Sequence, residues 1–294
     1  RGQRALDGGS WRSLTWREMR IPLEDNYEDV IMKAQRGHGW DAARLAREAG
    51  VSTSNVEASL AGHYDPNIAE QLARALGLQV SALQSLGAGE WYPEVAEIAG
   101  LAGHSSSYGG MLVNAYLVWD AASRKAALFD TGTDCAPLLE RARRDGLDIG
   151  YLLLTHAHGD HVADLGRVVE ATGAEVWIAE AERFTGARQF AWGHAFSVGG
   201  LGVSTRRTSG HSKGGTTYVI EGLERPLAVV GDALFAGSAG GPQSSYRDAL
   251  ETLNQNIFTL PDDCVLCPGH GPLTTVGDEK RHNPFFQAAP PANA

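Results

Sequence analysis

Three histidines and an aspartate lie within one short segment that directly follows an apolar run. The run Tyr151–Leu154 leads into Thr155-His156-Ala157-His158-Gly159-Asp160-His161. Neutral imidazoles and carboxylates are ligands that suit zinc and neighbouring first-row metals. A buried strand would hold such a turn rigid, so that His156 and His158 point one way while Asp160 and His161 turn to the other side. The segment therefore predicts a metal site at the end of a strand.

Three later segments place a histidine or an aspartate in the same kind of position. They are Gly210-His211, Gly231-Asp232 after the run Leu227–Val230, and Gly269-His270-Gly271 after the run Cys264–Cys267. Glycine lets the backbone approach a shared centre, and functional side chains concentrate where strands end. The four segments together predict one pocket for two metal ions.

This order of residues resembles the metallo-β-lactamase superfamily, whose pattern is His-x-His-x-Asp-His, then Gly-His, then Asp, then His. Asp130-Thr131-Gly132, after the strand Ala126–Phe129, matches another landmark of that family. Within the superfamily, the stretch from Pro268 to Phe285 is similar to the tail of the glyoxalase II group. The resemblance covers roughly residues 105 to 288 and implies an αββα sandwich.

The resemblance also implies a ligand set for two divalent ions, with zinc expected and manganese or iron as alternatives. The first ion would be held by His156, His158 and His211, the second by Asp160, His161 and His270, with Asp232 bridging both. A hydroxide bridging the ions would attack an activated acyl bond. Asp160 and Asp130 are the candidate catalytic carboxylates. Asp130 would orient a ligand imidazole or, alternatively, help to cap the turn before Ala136.

Four further residues are candidate contacts for a small-molecule substrate: Lys213, Tyr218, Lys280 and Arg281. Lys213 would meet an anionic group or remain solvated, and Tyr218 would contact substrate or pack in the core. In glyoxalase II, basic residues of the tail region that corresponds to Lys280 and Arg281 help to hold glutathione. The same basic residues would also be expected on an exposed helix face where they form salt bridges.

The leading functional hypothesis is a hydrolase of thioesters or other activated acyl bonds, and three alternatives remain open. A lactonase would use the same hydroxide. A persulfide dioxygenase would hold one iron through His156, His211 and Asp232. A ligand-sensing regulator would bind DNA through its helices. The segment Gly237–Gln243 lacks the arginine that is common after the bridging aspartate in glyoxalase II and dioxygenase relatives, so the resemblance leaves the substrate open.

Residues 26–90 have helical periodicity and resemble the helix-turn-helix domain of lambda-repressor-like regulators. The residues that carry this resemblance are Leu45-Ala46, Gly50-Val51-Ser52 and Leu60-x-Gly62, and Ser54 with Glu57 has the spacing of a capping box. Between Tyr27 and Glu90 there are five basic and eight acidic residues, a balance that disfavours DNA binding. We expect the helices instead to mediate contacts in a homodimer or to form a wall of the active site.

Strands and helices alternate from about residue 91 onward, which predicts an α/β fold preceded by a small all-α bundle. The predicted organisation is an arm (1–25), the helical region (26–90), a catalytic domain (91–288) and a loose tail (289–294), with Gly87-Ala88-Gly89 as the linker. On a strand, alternation would place Cys264 and Cys267 on opposite faces, as small core residues.

Composition excludes several classes of partner and environment. The net charge of −10 argues against a bulk polyanion as partner. No apolar stretch approaches the ~20 residues that span a bilayer, so no membrane association is expected. Three cysteines cannot form a disulfide framework, which favours a reducing cytoplasm.

Overall fold

The computed structural model describes residues 20–286. The predicted tail, and most of the predicted arm, therefore lie outside the described residues. The helices within that range are α1 (Tyr27–Gly37), α2 (Ala42–Ala49), α3 (Thr53–Leu60), α4 (Pro66–Leu76), α5 (Val80–Ala88), α6 (Ala136–Asp145), α7 (Gly159–Val162), α8 (Leu165–Thr172), α9 (Tyr246–Asn256) and α10 (Val276–His282). The strands are β1 (Leu101–Tyr108), β2 (Met111–Trp119), β3 (Lys125–Phe129), β4 (Asp148–Leu153), β5 (Glu175–Ala179), β6 (Arg188–Phe190), β7 (Ala195–Val198), β8 (Leu201–Arg207), β9 (Thr216–Glu221), β10 (Leu227–Gly231), β11 (Leu234–Phe235), β12 (Ser238–Ala239), β13 (Val265–Pro268) and β14 (Thr274–Thr275).

Helices α2 and α4 begin at capping aspartates and end at glycines. Asp41 caps α2 by accepting from the Arg44 amide, and Asp65 caps α4. Gly50 and Gly77 end these helices in the left-handed conformation, at φ +67° and +69°. None of the helices in the described part of the chain is long and apolar enough to cross a membrane.

Two local predictions in the helical region are wrong. Helix α3 is capped by Ser52, whose hydroxyl accepts from the Asn55 amide at 3.1 Å, and not by a box of Ser54 and Glu57. The predicted linker is also displaced, because α5 continues through Gly87 and Ala88. A Cβ on Gly87 would overlap the Tyr64 ring, so this glycine lets α5 pack closely against the connection between α3 and α4.

Two six-stranded sheets form the body of the molecule. The first has the order β1-β2-β3-β4-β5-β6, antiparallel up to β3 and parallel from β3 onward. The second has the order β14-β13-β10-β9-β8-β7 and is antiparallel except for the parallel pair β10 and β13. The two sheets pack face to face and helices cover their outer sides, which is the predicted αββα arrangement.

Side chains that alternate along the strands point into three separate apolar cores. On β2, Tyr116 and Val118 face the core between the sheets, whereas Leu117 faces the core beneath α6 and α8. The third core lies on the outer side of the second sheet, and α1 to α5 bury their apolar faces in it. It includes Val30 and Leu72 from the helices, Ala228 and Val230 from β10, and Leu253 from α9. The helical region and the sandwich therefore share a core.

Cys264 and Cys267 face opposite sides of the second sheet. Cys264, just before β13, belongs to the core shared with the helices, and Cys267 belongs to the core between the sheets. Both are fully buried free thiols. The structure thus confirms the prediction made from their spacing.

Several strands of both sheets end at the same edge of the molecule, and polar residues follow the ends of these strands. The parallel strands β3 and β4 end immediately before Asp130 and the segment beginning at Thr155, and β10 and β13 end before Asp232 and His270. Because neighbouring parallel strands have their carboxyl ends at the same edge, these residues come together there. The loop after β8 brings His211 to the same place.

Candidate metal centre

Three imidazoles form the first group of candidate ligands. The Nδ1 atom of His158 lies 3.0 Å from Nε2 of His156 and 2.9 Å from Nε2 of His211. Three nitrogens bound to one ion by bonds of ~2.0–2.1 Å in tetrahedral geometry would be about 3.3 Å apart. The observed spacing is therefore close to what one shared ion requires.

A second group combines imidazoles with a carboxylate. Oδ2 of Asp160 lies 3.2 Å from Nε2 of His270 and 3.6 Å from Nε2 of His161. All three side chains are buried. The donor set of two imidazoles and one carboxylate suits zinc, manganese or iron.

Asp232 lies between the two groups. Its Oδ2 atom is 3.4 Å from Nε2 of His211 and also 3.4 Å from Nε2 of His270, while its Oδ1 atom is 3.2 Å from Nε2 of His161. A single carboxylate thus contacts histidines of both groups. This is the position that a residue bridging two ions would need.

The donor set has the character of a cation site. Nε2 of His161 and Oδ1 of Asp232 are buried and have no hydrogen-bond partner among residues 20–286. Unsatisfied buried polar atoms are costly, so two of them side by side call for a further group between them. A divalent cation between them would satisfy both atoms, so the residues present fit a metal site.

Four of the five imidazoles are fixed through their second ring nitrogen, three by carbonyl or carboxylate oxygens and His156 by the Thr155 hydroxyl. Nδ1 of His211 donates to the Gly241 carbonyl at 2.9 Å, and Nδ1 of His270 donates to the Leu112 carbonyl at 2.6 Å. Nδ1 of His161 donates to Oδ2 of Asp130 at 2.8 Å. Carbonyl and carboxylate oxygens only accept, so the ring proton stays on Nδ1 and the Nε2 lone pair faces the site.

Asp130 orients two of these histidines. Its Oδ2 atom also accepts from the Thr155 hydroxyl at 2.7 Å, and that hydroxyl lies 3.0 Å from Nδ1 of His156. Asp130 has a φ of +54°, a left-handed conformation that aspartate tolerates better than most residues. The turn before Ala136 is capped by Asp134 and Asp164 instead. Of the two roles open to Asp130, the structure places it at the imidazoles.

The pKa values indicate that the two groups differ in charge. Burial lowers the pKa of His156 well below its usual value and also lowers that of His211. Burial opposes protonation of His161 too, but Asp232 and Asp130 raise its pKa well above the usual value. For His270, burial is likewise outweighed by Asp160 and Asp232, which raise its pKa to about 10. The carboxylates thus favour positive charge at the second group, carried by a second ring proton on these histidines or by a cation bound in its place.

Two glycines allow backbone to reach the site. A Cβ on Gly269 would overlap Oδ1 of Asp232, and a Cβ on Gly240 would overlap the carbonyl oxygen of Asp232. Gly240 belongs to a stretch that we call the backing segment, Gly237–Gly241, which lies against Asp232 and His211. Any other residue at Gly269 would displace the Asp232 carboxylate, and any other residue at Gly240 would displace the Asp232 backbone.

The backing segment is held from outside the site. The Gly237 amide donates to the Glu279 carboxylate, at 3.1 Å to Oε2, and the Ser238 carbonyl accepts from Nδ2 of Asn283 at 2.8 Å. The Ala239 carbonyl accepts from Nζ of Lys33 at 2.9 Å. Sequence reasoning included Glu279 and Asn283 in the tail that resembles the glyoxalase II group but gave them no role. It missed Lys33, which lies 206 positions from Ala239 in the chain.

Glu279 makes stability depend on pH. Burial raises its pKa from 4.5 to about 7, against hydrogen bonds from Thr274 and Asn283. A carboxyl with a raised folded-state pKa stabilises the fold below pH 4.5 and loses that contribution as the pH rises towards 7. We expect a loss of about 3 kcal/mol in the free energy of unfolding across that window.

This expectation is tested by urea denaturation of metal-free protein between pH 4.5 and pH 7.5, compared with Glu279→Gln. The variant removes the titrating group, so its stability should change less across the window than that of the unmodified protein. Parallel stability curves for the two proteins would contradict the assignment.

The four candidate substrate contacts do not gather at the metal centre. Tyr218 is fully buried and its hydroxyl donates to the Leu154 carbonyl at 2.7 Å, so it lies in the core and not in the pocket. Lys280 pairs with Asp262 and Arg281 with Asp278, both at 2.6 Å. Lys213 is exposed two residues beyond His211. Of the four, Lys213 alone lies next to a candidate ligand in the chain.

The mouth of the site lies beside His158. His158 is partly exposed and Gly159 is exposed, whereas His156, His161 and His270 are buried. The Tyr108 hydroxyl lies 3.2 Å from where a Cβ on Gly159 would be, so the turn between β1 and β2 borders this opening. A substrate would enter from this side.

Comparisons with known proteins agree with this geometry. The profile of the Metallo-beta-lactamase superfamily matches residues 108–270. The chain is 29% identical over 200 residues to hydroxyacylglutathione hydrolase GloC of Haemophilus influenzae, covering 60% of this chain and 93% of that protein. It is 31% identical over 187 residues to the mitochondrial persulfide dioxygenase ETHE1 of Homo sapiens, covering 58% of this chain and 69% of that protein.

The fold is also similar to a crystal structure of TTHA1623 in a di-iron-bound form. The TM-score is 0.51 at 26% sequence identity, and the similarity covers 62% of this chain and all (100%) of the other. Helices α1 to α5 precede the residues that the family profile matches.

Proposed function

The chain belongs to the metallo-beta-lactamase superfamily, and we propose that within it the protein is a hydrolase that uses two divalent metal ions to cleave a thioester or another activated acyl bond. The observation that carries this proposal is the convergence of five imidazoles and two carboxylates into three overlapping clusters whose donor atoms lie within 4.8 Å of one another in each cluster. The similarity to a hydroxyacylglutathione hydrolase supports it.

Each residue has a distinct task in this proposal. His156, His158 and His211 would hold one ion, Asp160, His161 and His270 the other, and Asp232 would contact both. Bound ions would supply hydroxide near neutral pH by lowering the pKa of water, and would act as Lewis acids towards an acyl oxygen. Hydrolysis then requires no serine or cysteine nucleophile.

The chain itself keeps the ligands ready for binding. Asp130 and the carbonyls of Leu112 and Gly241 hold a proton on Nδ1 of three imidazoles, which leaves each Nε2 free to bind. Burial of the ligands excludes bulk water and strengthens the electrostatic interactions at the site. The partly exposed side at His158 leaves room for an acyl group to enter.

A persulfide dioxygenase is the second candidate, because the chain is also 31% identical to human ETHE1 over 187 residues. In that case one iron would be held by His156, His211 and Asp232. Oδ2 of Asp232 lies 3.4 Å from Nε2 of His211, and His156 and Asp232 share a further donor cluster with His161. The remaining candidate ligands would then have no metal to hold.

Metal content separates these candidates. We expect protein purified without added metal to contain about two zinc or manganese ions per chain by elemental mass spectrometry, and to hydrolyse at least one member of a panel of thioesters, esters and lactones. Removal of the ions by a chelator should abolish hydrolysis, and zinc should restore it. One iron per chain, with oxygen consumption on a persulfide and no acyl hydrolysis, would overturn the proposal in favour of the second candidate.

A further inference from the structure

The residues that lead into α1 run alongside the second group of ligands. The Glu24 amide nitrogen lies 3.3 Å from where a Cβ on Gly271 would be, and Oε2 of Glu24 lies 4.0 Å from Nδ1 of His270. Asp25 follows, with only 7% of its surface exposed. This part of the chain therefore packs against the loop that carries His270.

Lys33 connects the same helix to the backing segment. Its ammonium group pairs with Asp25 and also donates to the Ala239 carbonyl at 2.9 Å. It lies 5.0 Å from the centroid of the Phe235 ring, and that ring meets the His270 ring edge-on at 5.6 Å. One side chain thus contacts the backing segment and a residue that packs on a candidate ligand.

Movement at Ala239 would be transmitted to the first group of ligands. Two residues further on, the Gly241 carbonyl accepts from Nδ1 of His211. Between them, Gly240 is packed so tightly on Asp232 that even a Cβ has no space. The backing segment therefore cannot shift without moving His211, Asp232 or both.

We infer that residues 21–33 brace the metal centre from the helical side, and that Lys33 is a positioning residue for His211 and Asp232. The brace contacts the loop of His270 through Glu24 and the backing segment through Lys33. Helix α1 would therefore help to position the metal ligands of the hydrolase proposed above. The inference rests on that proposal only in requiring that the seven-donor site bind metal.

The first test removes the link without leaving a buried charge alone. Replacing only one member of this ion pair would leave the other charge without its partner. Both residues are therefore changed, in the variant Asp25→Asn/Lys33→Met. We expect the dissociation constant of the weaker-bound zinc ion to rise about tenfold, measured by competition with a chromophoric chelator. The visible spectrum of the cobalt-substituted protein should also change, since it reports ligand geometry.

Two further variants control this test. Lys33→Arg keeps a donor for both Asp25 and Ala239 and should bind zinc within about twofold of the unmodified protein. Lys125→Met/Asp148→Asn removes another Lys–Asp pair, which is exposed and spans 2.5 Å between β3 and β4, and should leave zinc binding unchanged. A folded Asp25→Asn/Lys33→Met protein with unaltered zinc affinity and cobalt spectrum would overturn the inference.

A second measurement uses the unmodified protein, so that a variant that fails to fold does not leave the question open. Linkage requires that if the brace strengthens metal binding, metal binding stabilises the brace by the same coupling energy. Amide hydrogen exchange in residues 21–33 should therefore slow on zinc loading, and it should slow more than in α3 and α4. Equal or absent slowing would overturn the inference.

The two proposals fail separately. If the protein binds two ions and the brace variant weakens them, but no acyl substrate is cleaved, the proposed hydrolase fails and the brace stands. If acyl substrates are cleaved and the brace variant binds zinc normally, the brace fails and the hydrolase stands.

Discussion

Replacing Asp232 with asparagine should lower the turnover of any acyl substrate by about 10³-fold or more. Asp232 contacts histidines of both ligand groups, and two of those contacts measure 3.4 Å. An amide keeps the shape but has no negative charge and only one oxygen, so it cannot join two cations. We therefore also expect metal content to fall from two ions to about one per chain, measured by elemental mass spectrometry alongside steady-state kinetics.

The matched control is Asp148→Asn, which removes a carboxylate from the exposed start of β4. It should retain full metal content and turnover. A variant at Asp232 that still holds two ions and turns over at the normal rate would show that this carboxylate does not bridge the site.

Replacing Asp130 with asparagine is expected to have the second largest effect. Within residues 20–286, this carboxylate accepts hydrogen bonds from three donors, namely the Thr155 amide, the Thr155 hydroxyl and Nδ1 of His161. An amide would turn its NH₂ group towards one of them and lose an acceptor. We expect metal affinity to fall by about 10–100-fold and the metal-free protein to lose about 1–3 kcal/mol of stability.

Asparagine tolerates the left-handed backbone of this position as well as aspartate does, so the effect isolates the hydrogen bonds. Chelator competition measures the affinity, and urea denaturation measures the stability. The control is Asp134→Asn, four residues away, where the carboxylate is exposed and accepts from the Ala136 amide. Equal effects of the two substitutions would mean that Asp130 has no special role at the imidazoles.

Much of the fold could be predicted because it follows from local patterns. Alternation and apolar runs predict most of the longer strands, and the cap residues predict the ends of several helices. The strand-end positions of His156, Asp232 and His270 could also be inferred, because parallel strands that end at one edge must bring their following residues together.

Contacts between distant parts of the chain could not be predicted in this way. Lys33 and Ala239 are 206 positions apart, and an amphipathic helix indicates that one face is buried without indicating against what. For the same reason, Tyr218 could be assigned to the core or to the pocket with equal justification. Gly87 suggested a linker, but its lack of a side chain serves contact with Tyr64.

The core that α1 to α5 share with the second sheet has a consequence for the ancestry of this chain. A relative that lost these helices by a simple deletion would present Val219, Ala228, Val230 and Leu266 to water. Such a deletion would survive only if new polar side chains or another covering replaced the helices at the same time. We therefore infer that helices α1 to α5 could not have been gained or lost during evolution without further changes on the second sheet.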